Sequence, residues 1–273
     1  MSGNDDIRTW FGFRKQPFSS DLKPDQLFLR PCLDEIADRI RFAVQNGMYF
    51  AVIGEVGAGK STAMRYALNR LSPKQYQVLS VVGGNWTFVE LLRQCMAEVG
   101  IFTRTNQQSG MLRSIYAAYD SMRESGKQPV IFIDEAHLFQ QEVYNLIHLL
   151  SQQGLAGGRT IPIVMCGQEM LFEKLTSPLC KPLQSRILDG FNLHGMTQEE
   201  TSQYIHHHLV NLGGGKDGMF ESSALVAIHQ TSAGIPRRIN EICLLSLREA
   251  MVHEQRSVTI DSVRMSTRNW WER

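Results

Sequence analysis

A lysine follows a glycine-rich turn in the segment "GEVGAGKS", which covers residues 54–61. The spacing fits GxxxxGK[ST], with an apolar run before it and a helical pattern after it, which is the context that gives this motif its meaning. Glycines at such a turn let backbone N–H groups point inward around a polyphosphate, beside the positive end of the next helix. The segment therefore predicts a phosphate-binding loop.

Two side chains of this loop have distinct expected roles. Lys60 should reach the β- and γ-phosphates of ATP, and the Ser61 hydroxyl should ligate Mg²⁺. A glycine turn with a solvated lysine is the alternative, which the strand before and the helix after disfavour. The expected nucleotide contacts are the consecutive residues Gly54, Glu55, Val56, Gly57, Ala58, Gly59, Lys60, Ser61 and Thr62.

An acidic pair ends a second apolar run, in "VIFIDEAH". A buried parallel strand would surface at this point, which is the Walker B pattern. We expect Asp134 to hold Mg²⁺ and Glu135 to orient and deprotonate the attacking water. Two exposed acids at a strand end are the alternative, but the phosphate loop upstream favours a site that hydrolyses ATP.

The elements that must position these residues follow from the hydrophobic pattern. Apolar runs alternate with helical stretches as far as residue 195, which predicts a parallel sheet covered by helices. The predicted strands cover 48–53, 76–82, 130–134, 161–166 and 191–194. We assign residues 1–195 to an α/β ATPase domain that includes the N-terminal segment.

A helical second domain is predicted over residues 196–273. It opens with "TQEE", in which Thr197 can cap a helix and Glu200 can reach back to it. Its helices should cover 198–212, 221–232, 236–254 and 260–268, with a glycine-rich loop at 213–218.

Composition narrows the class of protein. The 273 residues are 43% hydrophobic, lack an apolar run long enough for a membrane span, and begin without a signal-peptide pattern. We therefore expect a cytoplasmic protein without membrane contact. The five scattered cysteines predict neither disulfides nor zinc. Because 28 basic residues balance 27 acidic ones, a polyanionic partner would have to meet a local patch.

Two histidine patterns suggest other functions. The letters "DEAH" (134–137) occur in one class of helicases, but those enzymes need two tandem sheet domains and this chain predicts one. We give His137 no catalytic role. The run "HHH" (206–208) does not predict a metal site, because successive helical residues point about 100° apart.

Two arginine contexts complete a family pattern: "LQSRI" (183–187) before the last strand, and "GIPRRINEICLLSL" (234–247) at a helix start. With the phosphate loop and the acidic pair, they resemble AAA+ ATPases. The segments "FGFRKQPFSS" (11–20) and "LFLRPCLDEIADRIRFAV" (27–44) resemble the ExeA-type group more narrowly. In layout the chain is most similar to transposon-encoded ATPases of the TniB, TnsC and MuB kind. The resemblance implies a P-loop AAA+ sheet sandwiched by helices, followed by a smaller all-helical lid.

The resemblance also implies roles for further residues. Arg186 resembles the arginine finger that reaches a neighbouring subunit's γ-phosphate, and Arg237 resembles the sensor 2 arginine. Gln168 occupies the sensor 1 position, where asparagine or threonine is usual. Phe28 and Pro31 fall beside the expected adenine. A surface salt bridge for Arg186 and a helix-terminus role for Arg237 are the alternatives.

Three hypotheses describe what the ATPase acts on. The first is a homo-oligomer, as a ring or a helical filament, that assembles on double-stranded DNA and directs a transposase. The second is a secretion-pathway assembly ATPase of the ExeA type, or a fragment of one. The third, a nucleotide switch without catalysis, would require Glu135 or Arg186 to be replaced, and both are present.

Overall fold

The computed structural model describes residues 3–19, 22–151 and 160–267. These residues fold into two compact units. The sheet unit consists of the described parts of residues 31–56 and 60–193. The helical unit consists of the described parts of residues 1–30 and 194–273, together with residues 57–59 at the tip of the phosphate loop.

The sheet unit is built on five parallel strands. They are β1 (Tyr49–Gly54), β2 (Tyr76–Val82), β3 (Gln128–Asp134), β4 (Ile163–Gly167) and β5 (Ile187–Leu193). Their order in the sheet is β2-β3-β4-β1-β5, and every paired neighbour runs parallel. This confirms the predicted α/β class and the parallel sheet flanked by helices.

Helices are numbered along the described chain. They are α1 (Gly3–Phe11), α2 (Pro31–Gln45), α3 (Lys60–Asn69), α4 (Phe88–Glu98), α5 (Gln108–Glu124), α6 (Gln141–Leu146), α7 (Glu169–Thr176), α8 (Lys181–Gln184), α9 (Gln198–His206), α10 (Ser222–Ser232), α11 (Pro236–Val252) and α12 (Ile260–Ser266). Helices α2 to α8 belong to the sheet unit, and the other helices belong to the helical unit.

The helices of the C-terminal region lie close to their predicted ranges. The range 198–212 contains α9 and a π-helical continuation, His207–Leu212. Thr197 and Glu200 form the predicted capping box, in which Thr197 Oγ1 accepts the Glu200 N–H at 3.1 Å and Glu200 accepts the Thr197 N–H at 2.9 Å. The last predicted helix, 260–268, ends at Ser266, and residue 268 lies outside the described residues.

The N-terminal segment packs with the helices of residues 194–267, whereas the sequence analysis assigned it to the first domain. Its buried phenylalanines, Phe11, Phe13 and Phe18, share a hydrophobic core with side chains such as Leu209 of the π-helical stretch. Aromatic burial of this kind depends on distant partners, so the local sequence pattern did not indicate it.

Strand register brings three loops to one edge of the sheet. Ile53 of β1 pairs with Gly167 of β4, and Ile133 of β3 pairs with Met165 of β4. The segments that follow β1, β3 and β4 therefore emerge together. This edge is where ligands bind in open parallel sheets.

Most of the cysteine side chains lie in the protein interior. Cys95, Cys166, Cys180 and Cys243 are buried, and Cys32 is partly exposed. In the part of the chain that the structure describes, no helix is long and apolar enough to cross a membrane.

Candidate functional site

The phosphate loop has a backbone that only glycine adopts easily at several positions. Gly57 and Gly59 have φ of 82° and 96°, in the left-handed region that L side chains avoid. A Cβ on Gly54 would lie 2.5 Å from the Leu193 carbonyl oxygen, so β5 closes the space behind the loop. These glycines give the loop its shape, which leaves Glu55 and Val56 exposed and Ala58 buried.

Lys60 begins α3 and is held inside its own loop. Its side chain is buried, and Nζ donates to the carbonyl oxygens of Gly54 and Glu55, both at 2.9 Å. Ser61 is exposed and Thr62 is partly exposed on the same first helical turn. The ammonium group therefore lies where a polyphosphate in the loop could replace the two carbonyls as its partner.

The acidic pair lies at the end of β3 in a strained turn. Glu135 has φ 49° and ψ 34°, a left-handed conformation that is uncommon for a residue other than glycine. Its N–H donates to Asp134 Oδ1 at 2.9 Å. Strain of this kind persists only where the surroundings fix it, and it concentrates at functional sites.

A glycine beyond β2 supports that turn from behind. The Gly83 N–H donates to the Asp134 carbonyl oxygen at 2.6 Å. A Cβ on Gly83 would lie 2.4 Å from the Glu135 carbonyl oxygen. Only glycine permits this approach without moving the backbone, a feature that the sequence analysis did not identify.

His137 lies beside the Glu135 carboxylate. It is 4% exposed, and burial lowers its pKa. The Glu135 carboxylate opposes this shift, and the positive charges of Lys60 and Lys174 add to it. Its Nδ1 accepts the Gln168 N–H at 3.4 Å, which assigns the proton of the neutral ring to Nε2. Because Nδ1 then carries no proton, its 3.4 Å separation from Glu135 Oε2 is not an ion pair at neutral pH.

Gln168 follows β4 directly and occupies the N-cap position of α7. Register places it next to the start of the phosphate loop, because the preceding Gly167 pairs with Ile53. The structure thus brings Lys60, Asp134, Glu135 and Gln168 to one edge of the sheet.

Arg186 lies at the other end of the strands. Its Nη1 donates to the Pro182 carbonyl oxygen at 2.5 Å, and its own carbonyl oxygen accepts the Tyr49 N–H at 2.8 Å. Tyr49 begins β1, whereas the phosphate loop follows Gly54 at the end of β1. At 3.3 Å per residue the strand separates these ends by roughly 17 Å. Arg186 is therefore remote from the phosphate loop of its own chain.

The remaining expected nucleotide contacts are in different places. In the helical unit, Arg237 is exposed at the start of α11, and its N–H donates to the Gly57 carbonyl oxygen at 3.4 Å. In the same unit, the Phe28 ring packs against Tyr204 and His207, with centroid separations of 5.7 and 5.9 Å. Pro31 is exposed as the first residue of α2.

The oxygen donors at this edge suit magnesium. Among the described residues there is no group of three or more His, Cys, Asp or Glu side chains that could enclose a metal. Mg²⁺ is usually held by one or two protein oxygens together with substrate phosphates and water. The Ser61 hydroxyl and the Asp134 carboxylate are donors of that kind.

Comparison with known proteins points to the same fold. A sequence model of the AAA domain matches residues 44–175, which include both the phosphate loop and the acidic pair. The General secretion pathway protein A of Aeromonas hydrophila is 27% identical over 242 residues, covering 86% of this chain and 43% of that protein. The chain therefore spans less than half the length of this relative.

Solved structures resemble the chain over most of its length. The Aeropyrum pernix ORC2 protein superposes with a TM-score of 0.66 and 16% identity, covering 93% of this chain and 71% of that chain. The Drosophila ORC bound to DNA superposes with a TM-score of 0.68 and 16% identity, covering 97% of this chain and 65% of that chain. At such identities the likeness establishes the fold. The fold and the AAA domain match together support a P-loop ATP hydrolase.

Proposed function

We propose that this chain binds ATP with Mg²⁺ at the phosphate loop and hydrolyses it with Glu135 as the general base. The observation that carries the proposal is the position of four side chains at one edge of the sheet. Strands β1, β3 and β4 deliver Lys60, Asp134, Glu135 and Gln168 to that edge. This set supplies a phosphate-binding cation, a metal ligand, a base and an amide donor.

Each residue of the set has a defined task in this mechanism. Lys60 leaves the carbonyl oxygens of its loop and donates to the β- and γ-phosphates. Ser61 and Asp134 would hold Mg²⁺, which would neutralise charge on the phosphate oxygens. Glu135 accepts a proton from the attacking water, and Gln168 donates to the γ-phosphate. Arg237, Phe28 and Pro31 are the proposed nucleotide contacts outside this set.

Completion of the site requires a second copy of the chain. Arg186 lies roughly 17 Å of strand away from its own loop, by the rise of 3.3 Å per residue. A guanidinium group stabilises charge that develops on a transferred phosphoryl group. We therefore propose that Arg186 acts on the ATP of a neighbouring copy, in a ring or a helical filament.

Double-stranded DNA is the proposed binding partner of that oligomer, and a transposase is the proposed protein partner in the cytoplasm. The transposon-type layout expected from the sequence favours this interpretation, and so does a structural neighbour whose name includes bound DNA. The candidate phosphate contacts are exposed: Arg14 and Lys15 in the helical unit, Arg104 between α4 and α5, and Arg113 on α5. With a net charge of +1, one copy should bind DNA weakly, and assembly should add avidity.

Secretion-pathway assembly is the second candidate function. It is favoured by the 27% identity to the General secretion pathway protein A of Aeromonas hydrophila. An ATPase of this kind would use the same nucleotide site and the same neighbouring arginine, so the two candidates differ in the partner and not in the chemistry.

ATP turnover measured against protein concentration, with and without long double-stranded DNA, tests the proposal. Turnover per chain should rise with protein concentration, because Arg186 must come from a neighbour, and long DNA should raise it further by gathering copies. The stimulation should weaken with salt, since phosphate contacts dominate non-specific binding. ATP turnover that stays the same with DNA of any length would contradict the DNA proposal and favour the secretion function.

A further inference from the structure

Side chains from α6 and α7 hold the turn that follows Glu135. The turn is a single 3₁₀ stretch, Ala136–Leu138, followed by Phe139. The Tyr144 hydroxyl donates to the Ala136 carbonyl oxygen at 2.5 Å. Lys174 Nζ donates to the carbonyl oxygens of His137 and Phe139, each at 2.7 Å. Three carbonyl groups of this short segment therefore have side-chain donors as partners.

Lys174 is placed unusually for a lysine. It is partly buried, and its ammonium lies 5.5 Å from the centre of the Tyr144 ring. Among the described residues, no carboxylate lies within ion-pair distance of its Nζ. Desolvation lowers its pKa. Partial burial of an ammonium group costs free energy, which its two carbonyl acceptors and the aromatic face offset here.

Helix α7 is joined to the same turn at two points. At its start, the Gln168 N–H donates to His137 Nδ1, and a Cβ on Gly167 would lie 3.2 Å from the His137 backbone nitrogen. Further along the helix, Lys174 contacts His137 and Phe139. These contacts thus hold the segment that contains Gln168 against the turn that follows Glu135.

We propose that Lys174 is a positioning residue for Glu135. Its two hydrogen bonds fix the turn 136–139 and so hold the Glu135 carboxylate in a constant position relative to Gln168. This inference rests on the proposed ATPase function. Glu135 holds a left-handed backbone that is stable only while its neighbours constrain it. Loss of the Lys174 contacts should let the turn relax and move the carboxylate away from the attacking water.

The variants Lys174→Met, Lys174→Arg and Lys74→Met test this inference. Methionine keeps most of the apolar stem but cannot donate, whereas arginine can donate to both carbonyl groups. Lys74 is exposed in the segment between α3 and β2, so it serves as a matched control. For each protein, kcat and KM for ATP are measured, together with hydrogen–deuterium exchange of the fragment 134–139.

The expected result is a split between turnover and binding. Lys174→Met should lower kcat by about tenfold to a hundredfold while KM for ATP changes little, and exchange in 134–139 should become faster. Lys174→Arg should recover much of kcat, and Lys74→Met should match the unaltered chain. A Lys174→Met variant with normal kcat, or with a loss of kcat that arginine does not restore and no change in exchange, would overturn the inference.

Failure of the proposed function gives a different result. In that case the unaltered chain shows no ATP turnover, whatever the residue at position 174. Exchange in 134–139 still decides whether Lys174 holds the turn: unchanged exchange in Lys174→Met would overturn that claim.

Discussion

Of the residues in the site, Glu135 has the backbone conformation that depends most on its neighbours. Its backbone is left-handed, its N–H is bound by Asp134 Oδ1, and Gly83 lies directly behind its carbonyl oxygen. Because the proposed base lies on a turn that several neighbours must constrain, small changes beside it should reduce turnover more than nucleotide binding.

Gly83→Ala should show this sensitivity. The added Cβ would lie 2.4 Å from the Glu135 carbonyl oxygen, which is backbone and cannot rotate away. Overpacking of this kind costs about 1–3 kcal/mol of unfolding free energy, and the displaced turn should also lower kcat. Denaturant unfolding and steady-state ATP turnover measure the two effects.

Gly110→Ala is the matched control for that substitution. Gly110 lies in α5, where an added Cβ would have the Gln107 Cβ, 3.9 Å away, as its nearest neighbour outside the helix backbone. Alanine should therefore raise stability by about 0.5–1 kcal/mol without changing turnover. Equal effects of the two substitutions on kcat would contradict the role given to Gly83.

Sequence motifs predicted the site residues that lie together within one short, continuous segment. The phosphate loop and the acidic pair each lie within one continuous segment, so the positions of Lys60 and Glu135 followed from the pattern. Lys174 gave no such signal, because a lysine on an amphipathic helix is typical of a solvated face. Its contacts depend on the packing of α7 against a distant turn.

At the scale of elements, an aromatic cluster joins the N-terminal segment to α9 and to the π-helical stretch that follows it. The His208 ring stacks on Phe18, with centroids 5.3 Å apart and planes 12° apart, and lies 4.4 Å from the Tyr204 ring. Neither nitrogen of His208 has a hydrogen-bond partner among the described residues. Burial lowers the pKa of His208 to about 4, with His207 adding to the shift.

This cluster predicts a pH dependence of stability. The unfolded chain gains a proton on His208 below about pH 6.5, whereas the folded chain resists protonation until about pH 4. Stability should therefore fall as pH decreases through this window, by about 2 kcal/mol between pH 7 and pH 5. Unfolding free energies of the unaltered chain and of His208→Phe, measured across this range, test the effect. Equal slopes for both proteins would contradict it.

Element boundaries were predicted well where the pattern was continuous. Strand β2 has the predicted range, 76–82. Strand β5 begins four residues before its predicted start, because Asp189 and Gly190 interrupt the apolar run in "ILDGFNL". The pairing of β1 with β5 also shifts register between Tyr49 and Phe50. The π-helical stretch His207–Leu212 had no sequence signal, since its first residues continue a helical pattern.

At the scale of the whole molecule, the proposed site takes Arg186 from a second copy of the chain. The groups proposed for binding and deprotonation lie at one edge of the sheet, and Arg186 lies at the opposite edge. The sequence indicated only through family resemblance that Arg186 lies far from the phosphate loop of its own chain. The end of the sheet at which an arginine lies depends on sheet topology, which a local sequence pattern does not show.

Parallel measurement of ATP binding and ATP turnover in Lys60→Ala and Glu135→Gln tests the central claim most directly. Lys60→Ala should lose tight ATP binding, because the loop loses its only side-chain cation between Gly54 and Thr62. Glu135→Gln should bind ATP as the unaltered chain does while turnover falls by about a hundredfold or more. Equal loss of binding in both variants, or normal turnover in Glu135→Gln, would contradict the account.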